Sequence, residues 1–407
     1  MPWRGSWIRC LRRLWPMPLR PDRSVAVQWP VAALALLGVL GLMPFLAGRM
    51  IALLVIGVWL GVTLFHAAFG FASAYRVAIL RRESAGVRAQ LWMVALATVL
   101  FAPALATGEV FGQAVGGAVA PVGWQVAIGA FVFGIGMQLG GGCGSGTLYT
   151  AGGGNPRMGV TLLAFIAGSF WASLHMGWWQ MLPGIPAVSL GHTLGWPQAV
   201  ALQLAVLGVA AWWLKRRDRA SAPATRRHRV WQGPWPLMAG AVALAVLNLA
   251  TLALAGHPWS ITWAFTLWGA KAASWVGWDA ASAPFWQGGF QQAALANSVL
   301  TDTTSVMDIG LLLGAMLAAA LAGRYAANRR FSGRAVMAAV VGGLLMGYGA
   351  RIAFGCNIGA FVSGVASTSV HGWLWIACAI PGTVLGIWLR PMFGLANEPP
   401  VATGGTG

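Results

Sequence analysis

Two cysteines carry the most specific chemical signal in this sequence. Cys143 lies in GGGCGSG (140–146) and Cys356 in FGCNIG (354–359). A thiol is a soft, polarisable, weak hydrogen-bond donor. Glycines beside it let chain segments approach closely and leave backbone amides exposed. Such amides, in a turn or at the start of a following helix, favour an anion. A path lined by amides and thiols suits a small sulfur-bearing anion better than a sugar or a hard cation. Neither cysteine has a CxxC partner or a histidine at ligand spacing, so neither a metal site nor a redox pair is signalled. The candidate path residues are Gly142, Cys143, Gly144 and Gly146, with Gly355, Cys356, Asn357 and Gly359. Arg351, shortly before Cys356, is either a countercharge for the anion or a snorkelling or paired base.

A single buried cysteine among glycines is ordinary small-residue packing. Repetition argues otherwise. GIGMQLGGGCGSG (134–146) matches GYGARIAFGCNIG (347–359) without a gap. Gly134, Gly136, Gly142, Cys143 and Gly146 fall on Gly347, Gly349, Gly355, Cys356 and Gly359. Gly134, Gly136, Gly347 and Gly349 read as close helix packing, and the glycines flanking the thiols as loop residues. A weaker upstream match pairs FGFASA (69–74) with GGFQQA (288–293).

These motifs need elements to hold them, and composition names the medium. The 407 residues are 58% hydrophobic and 8% charged, with mean hydropathy +0.70. Apolar stretches of about 17–20 residues recur, long enough to cross a bilayer as helix, and they lack β-barrel alternation. Spans are expected near 30–47, 50–66, 90–106, 124–139, 158–177, 197–214, 235–255, 259–278, 308–323, 335–350 and 372–389. Two shorter apolar pieces, 67–80 and 284–300, read as half-helices. Pro30–Ala47 reads as the first span rather than a cleaved leader. The tryptophans near span ends read as an aromatic belt.

Net charge is +18, from 26 basic and 8 acidic residues. The bases concentrate in short loops, which marks a cytoplasmic face and an anionic leaflet rather than nucleic acid. RRESAGVR (81–88) is basic and its second-half counterpart TDTTSVMD (301–308) is not. The next loops reverse this: 107–123 has no base, while GRYAANRRFSGR (323–334) is basic. Matching loops on opposite faces imply two inverted-topology repeats, with short re-entrant helices or loops meeting near the midplane. The expected division is a basic cytoplasmic tail (1–29), a first repeat (30–214), a basic cytoplasmic linker (215–234), a second repeat (235–392) and a C-terminal tail (393–407). Asp302 and Asp308 are expected as outer-loop acids, with a proton-coupling role as the alternative.

The pair GGGCGSG and FGCNIG, one in each half of a polytopic chain, resembles the YeeE/YedE family of sulfur transport proteins over about 50–390. The resemblance implies an hourglass-like, all-α polytopic fold pinched at its centre. It implies thiosulfate, or a related small sulfur anion, passing Cys143 and Cys356 by S–H···S contacts without a covalent intermediate. It also implies a bacterial inner-membrane permease with cytoplasmic termini, no cofactor, and a small cytoplasmic sulfur-carrier (TusA-like) partner. The family pattern has a third path cysteine, expected near Phe71 or Phe290, and this chain has none at either place. Two rival activities fit the thiols less well. A membrane sulfurtransferase forming a persulfide needs an adjacent base, and a soft-metal channel needs more ligands than two thiols.

Overall fold

The computed structural model describes residues 26–219, 230–279, 282–326 and 332–397. The tail over 1–25 with Cys10, the 220–229 part of the basic linker and the tail from 398 lie outside the described residues. The first half begins with α1 (Trp29–Leu42), α2 (Gly48–Ala67), α3 (Phe71–Arg81) and α4 (Ala85–Thr107). It continues with α5 (Trp124–Gly140), α6 (Gly144–Gly152), α7 (Pro156–Ser173), the short α8 (Met176–Gln180) and α9 (Leu190–Leu194), and α10 (Trp196–Arg217). The second half holds α11 (Leu237–Ala255), α12 (Thr262–Trp275), α13 (Gly289–Ala296), α14 (Thr303–Leu321) and α15 (Gly333–Ile352). A π-helix (Asn357–Val362) then runs into α16 (Ser363–Ala366), followed by α17 (Val370–Leu389). Strand structure among the described residues is confined to two-residue antiparallel pairs, Glu109–Val110 with Gln113–Ala114 and Val122–Gly123 with Gly184–Ile185.

Eight described helical segments are long and apolar enough to cross a membrane. The chain is an all-α polytopic membrane protein. Lipid tails supply no hydrophobic drive between helices, so close backbone packing must hold the bundle. Gly57 and Gly61 of α2 and Gly310 and Gly314 of α14 provide it. A Cβ at Gly61 would collide with the Leu311 carbonyl oxygen, and one at Gly314 with that of Val58.

The four glycines assigned to packing behave as expected, and their contacts exchange between halves. Gly134 of α5 lies against Ala379 and Thr383 of α17, while the aligned Gly347 of α15 lies against Phe165 and Ser169 of α7. Gly136 lies against Gly342 and Met346 of α15, and Gly349 against Gly129 and Phe133 of α5. Around this centre, α10 is peripheral: only Ala199, Gln203 and Leu207 of its residues are buried.

Two sequence expectations need correction at the start of α14. The span was expected from 308, with Asp302 and Asp308 outside it. Instead Asp302 is the N-cap, and its Oδ2 accepts the Ser305 amide at 2.8 Å. That cap draws the polar TTSVMD stretch into the helix, because an N-cap carboxylate satisfies amides that have no carbonyl partner. Asp308 is thereby carried into the bundle and has no exposed surface. At the other polar turn, Asn155 caps α7, accepting the Met158 amide at 3.3 Å ahead of Pro156.

Candidate functional site

Both cysteines begin a new helix after a broken one. Gly141, at φ +95°, ends α5 in a backbone conformation that side chains disfavour. Cys143 then caps α6: its Sγ accepts the Gly146 amide at 3.4 Å and lies 3.3 Å from the Ser145 Oγ. In the second half Phe354 (φ +59°) and Gly355 (φ +151°) turn the chain after α15. A Cβ at Gly355 would lie 2.7 Å from the Ala360 amide nitrogen. Cys356 occupies the N-cap of the π-helix with no side-chain cap bond. The Trp375 indole holds this turn, donating to the Gly355 carbonyl at 3.1 Å. Both cysteines are fully buried.

The two turns meet. A Cβ at Gly144 would lie 3.0 Å from the Cys356 Sγ and 3.6 Å from Ile261 Cγ2. The thiol of one half therefore rests on the residue after the thiol of the other. Gly142 packs on Gly146 and Thr147, and Gly359 faces the Ser260 Oγ. Asn357 Nδ2 donates to the Tyr75 hydroxyl at 3.4 Å. The Asn357 Oδ1, Thr147 Oγ1 and Trp259 Nε1 atoms, all buried, have no protein partner. The polar capacity around the thiols is thus incompletely used, in a place where unpaired polar atoms are costly.

Arg351 stands apart from this meeting point in its contacts. Its guanidinium stacks over the Phe285 ring, 5.3 Å from the centroid, and its Nε has no partner. The histidines near the loops are engaged elsewhere: His371 Nδ1 with Ser369 Oγ at 2.7 Å, and His175 Nδ1 with the Tyr348 hydroxyl at 3.2 Å. Among the described residues no group of three or more His, Cys, Asp or Glu could hold a metal ion.

The upstream sequence match is not reproduced. Phe71 is fully buried, but α13, which carries the GGF motif, buries no residue, and Phe290 is 62% exposed. The second-half segment that lies against the two cysteine turns is Trp259–Ile261, which precedes α12: Ile261 faces Gly144 and Ser260 faces Gly359. Asn248 of α11 fixes it. Asn248 Oδ1 accepts the Trp259 amide at 2.8 Å, and its Nδ2 donates to Ser363 Oγ at 3.3 Å. Ser363 in turn donates to the Trp259 carbonyl at 2.9 Å. The available signal for this triad was the one asparagine in the apolar run of α11.

A group of arginines also escaped sequence reasoning. Gln138, near the end of α5, accepts from Arg76 at 3.1 Å through its side chain and from Arg390 at 2.6 Å through its carbonyl. Arg157 donates to the neighbouring Leu139 carbonyl at 2.7 Å. Arg390 and Arg157 satisfy open carbonyls of a helix C-terminus, where positive charge is favoured.

A cavity of about 840 Å³ reaches Tyr75 and Phe361 from a mouth where Arg82, Arg217 and Asp218 lie. Asp218 accepts from the Ser84 amide at 2.8 Å and pairs with Arg88. Burial pushes its carboxyl up, but the Ser84 contacts and the Arg88 charge outweigh burial and hold it below the usual range.

Comparison with known proteins bears on this geometry. A match to the family described as Sulphur transport spans residues 66–385. The chain is 30% identical to the probable transporter YedE of Escherichia coli (strain K12) over 161 residues, 40% of this chain and 38% of that protein. The chain thus spans under two fifths of the length of that relative. It is 26% identical to the thiosulfate transporter TsuA of Spirochaeta thermophila over 357 residues, 83% of this chain and 97% of that protein. It is also 26% identical to TsuA of Escherichia coli (strain K12) over 280 residues, 64% and 73% of the two chains.

Proposed function

Since the chain belongs to the Sulphur transport family, we propose that it is a permease carrying thiosulfate inward across a bacterial inner membrane. The observation that carries this reading is the meeting of Cys356 with Gly144, which brings two thiols and the first turns of two helices to one buried point. A small sulfur anion entering there finds amide donors, two neutral S–H donors and polarisable sulfur, with the unpaired Asn357, Thr147 and Trp259 atoms nearby. Each contact is weak, so the anion enters without being held. The relative named a thiosulfate transporter, matched over nearly its whole length, supports thiosulfate as the substrate.

The loop charges and the exchanged glycine contacts support an inverted repeat, with the arginine-rich face inside. On that orientation the cavity with Arg82 and Arg217 at its mouth is the inner vestibule, and Tyr75 forms its floor beneath the thiols. Arg351, stacked on Phe285, is then a base near the outer end of α15 that attracts the anion. Uptake of labelled thiosulfate by cells lacking other routes tests the reading, comparing wild type with Cys143→Ala and Cys356→Ala. Loss of uptake in both is expected. Wild-type uptake in both would overturn the thiol relay, and a sulfur adduct in the intact mass after incubation would replace it with a covalent one.

A further inference from the structure

Asp308 is the buried titratable group that the thiol path leaves unused. It has no exposed surface, and neither carboxyl oxygen has a hydrogen-bond partner. Asp302, six residues earlier on the chain, shows what a satisfied acid looks like here: one oxygen accepts from the Trp263 indole at 2.8 Å and the other from the Ser305 amide at 2.8 Å. An ionised carboxylate without partners inside a bundle is costly, so an acid kept there is expected to have work to do.

Its position links it to the path. Residues 308, 312 and 315 share one face of α14. On that face the Leu312 carbonyl and the Ala315 side chain meet Gly152 of α6, the helix that Cys143 caps. Asp308 lies one turn back along the same face. The other titratable groups on elements packed against α14 are few. Asp302 is its own cap, Cys143 and Tyr149 belong to α6, Lys271 to α12, and Arg49 and His66 to the two ends of α2; α1 has none. The Lys271 ammonium donates to the Leu295 and Asn297 carbonyls at 2.8 and 2.6 Å, so it is engaged elsewhere. No base in these contacts neutralises Asp308, which leaves a proton as its counterion.

We propose that Asp308 couples thiosulfate entry to proton entry. The carboxylate takes a proton from water on the outer side when the path opens there. It holds that proton while buried beside the passing anion and returns it to water on the inner side. No bond other than O–H forms or breaks, and nothing is oxidised or reduced. This deepens the transport reading and rests on it.

The full chain in sealed vesicles, with labelled thiosulfate as the probe, separates the two claims. Exchange of internal for external thiosulfate needs the path but no net proton movement; accumulation under an inward proton gradient needs both. Wild type is expected to exchange, and its accumulation to rise about tenfold per pH unit of gradient for one coupled proton. Asp308→Asn should keep exchange within about twofold while losing the gradient response, and Asp308→Glu should keep both. A second measurement uses wild type alone. A hydrophobic carbodiimide, which reacts with protonated carboxyls, should label Asp308, abolish the gradient response and spare exchange. Wild-type exchange without any gradient response, a full response in Asp308→Asn, dependence on sodium instead of protons, or absence of label at Asp308 would each overturn the proposal. Absence of thiosulfate exchange in wild type would sink the transport reading itself.

Discussion

The two cysteine turns share a motif and differ in what holds them. The first is self-contained: Cys143 accepts an amide from Gly146, lies beside Ser145, and starts an ordinary α-helix. The second is held from outside. Cys356 has no cap bond, a π-helix follows it, Trp375 holds the preceding carbonyl, and Asn357 reaches Tyr75 of the other half. A wider π-turn leaves main-chain geometry off the α-helical ladder, which is common where backbone serves a site. The first turn thus offers an already engaged sulfur, and the second an uncapped sulfur placed by its neighbours. Disturbing the neighbours should therefore cost more at the second turn than at the first.

The largest effect is expected where the turns touch. Gly144→Val places a branched side chain where even a Cβ comes 3.0 Å from the Cys356 Sγ. Overpacking of this kind costs about 1–3 kcal/mol, and here it also fills the meeting point. Thiosulfate uptake should fall to the background of the empty strain while the protein still reaches the membrane; retained uptake would place the path elsewhere. Next is Asn248→Ala, which strips the Trp259–Ile261 segment of its tie to α11. Leaving the Trp259 amide and Ser363 without their partner should cost about 1–3 kcal/mol, read as a lower thermal midpoint in detergent. A matching loss from Ser145→Ala, beside the first thiol, would break the proposed asymmetry. A smaller change is expected from Tyr75→Phe. It removes the hydroxyl that accepts from Asn357 and should lower the midpoint by the equivalent of about 1 kcal/mol, with uptake reduced a few-fold.

Much of this was legible from residue types alone. Apolar runs gave the helices because length and hydropathy dominate in lipid. Of the aligned glycines beside the thiols, Gly142 and Gly355 fall in the two turns, where few residues tolerate such close backbone approach, but Gly146 and Gly359, expected in loops, lie inside α6 and the π-helix. What stayed hidden depended on partners far along the chain. Asn248 finds Ser363, and Tyr75 finds Asn357, through the packing of helices from both halves. The match of FGFASA to GGFQQA misled because a short aromatic-glycine string also suits the surface helix α13. The acids of TDTTSVMD misled for a different reason: an N-cap at Asp302 turns a polar string into helix and buries its last member.

The smallest predicted effect concerns the periphery, and it bounds how far the central comparison extends. Arg88 and Asp218 pair at the cavity mouth, with side chains 26% and 21% exposed. Their link joins the first turn of α4 to the end of α10 without touching either thiol. A carboxyl held below its unfolded value stabilises the fold above about pH 4, and that contribution is lost as pH falls through the lower folded value. Because water screens a partly exposed pair, the whole contribution should be under about 1 kcal/mol. Asp218→Asn should therefore shift the neutral-pH midpoint only slightly and flatten the acid limb of its pH profile. Uptake at neutral pH should stay within about twofold of wild type, because a weak peripheral tie sets neither turn. A collapse of uptake in Asp218→Asn would mean that the cavity mouth, and not the meeting of the two cysteine turns, limits passage.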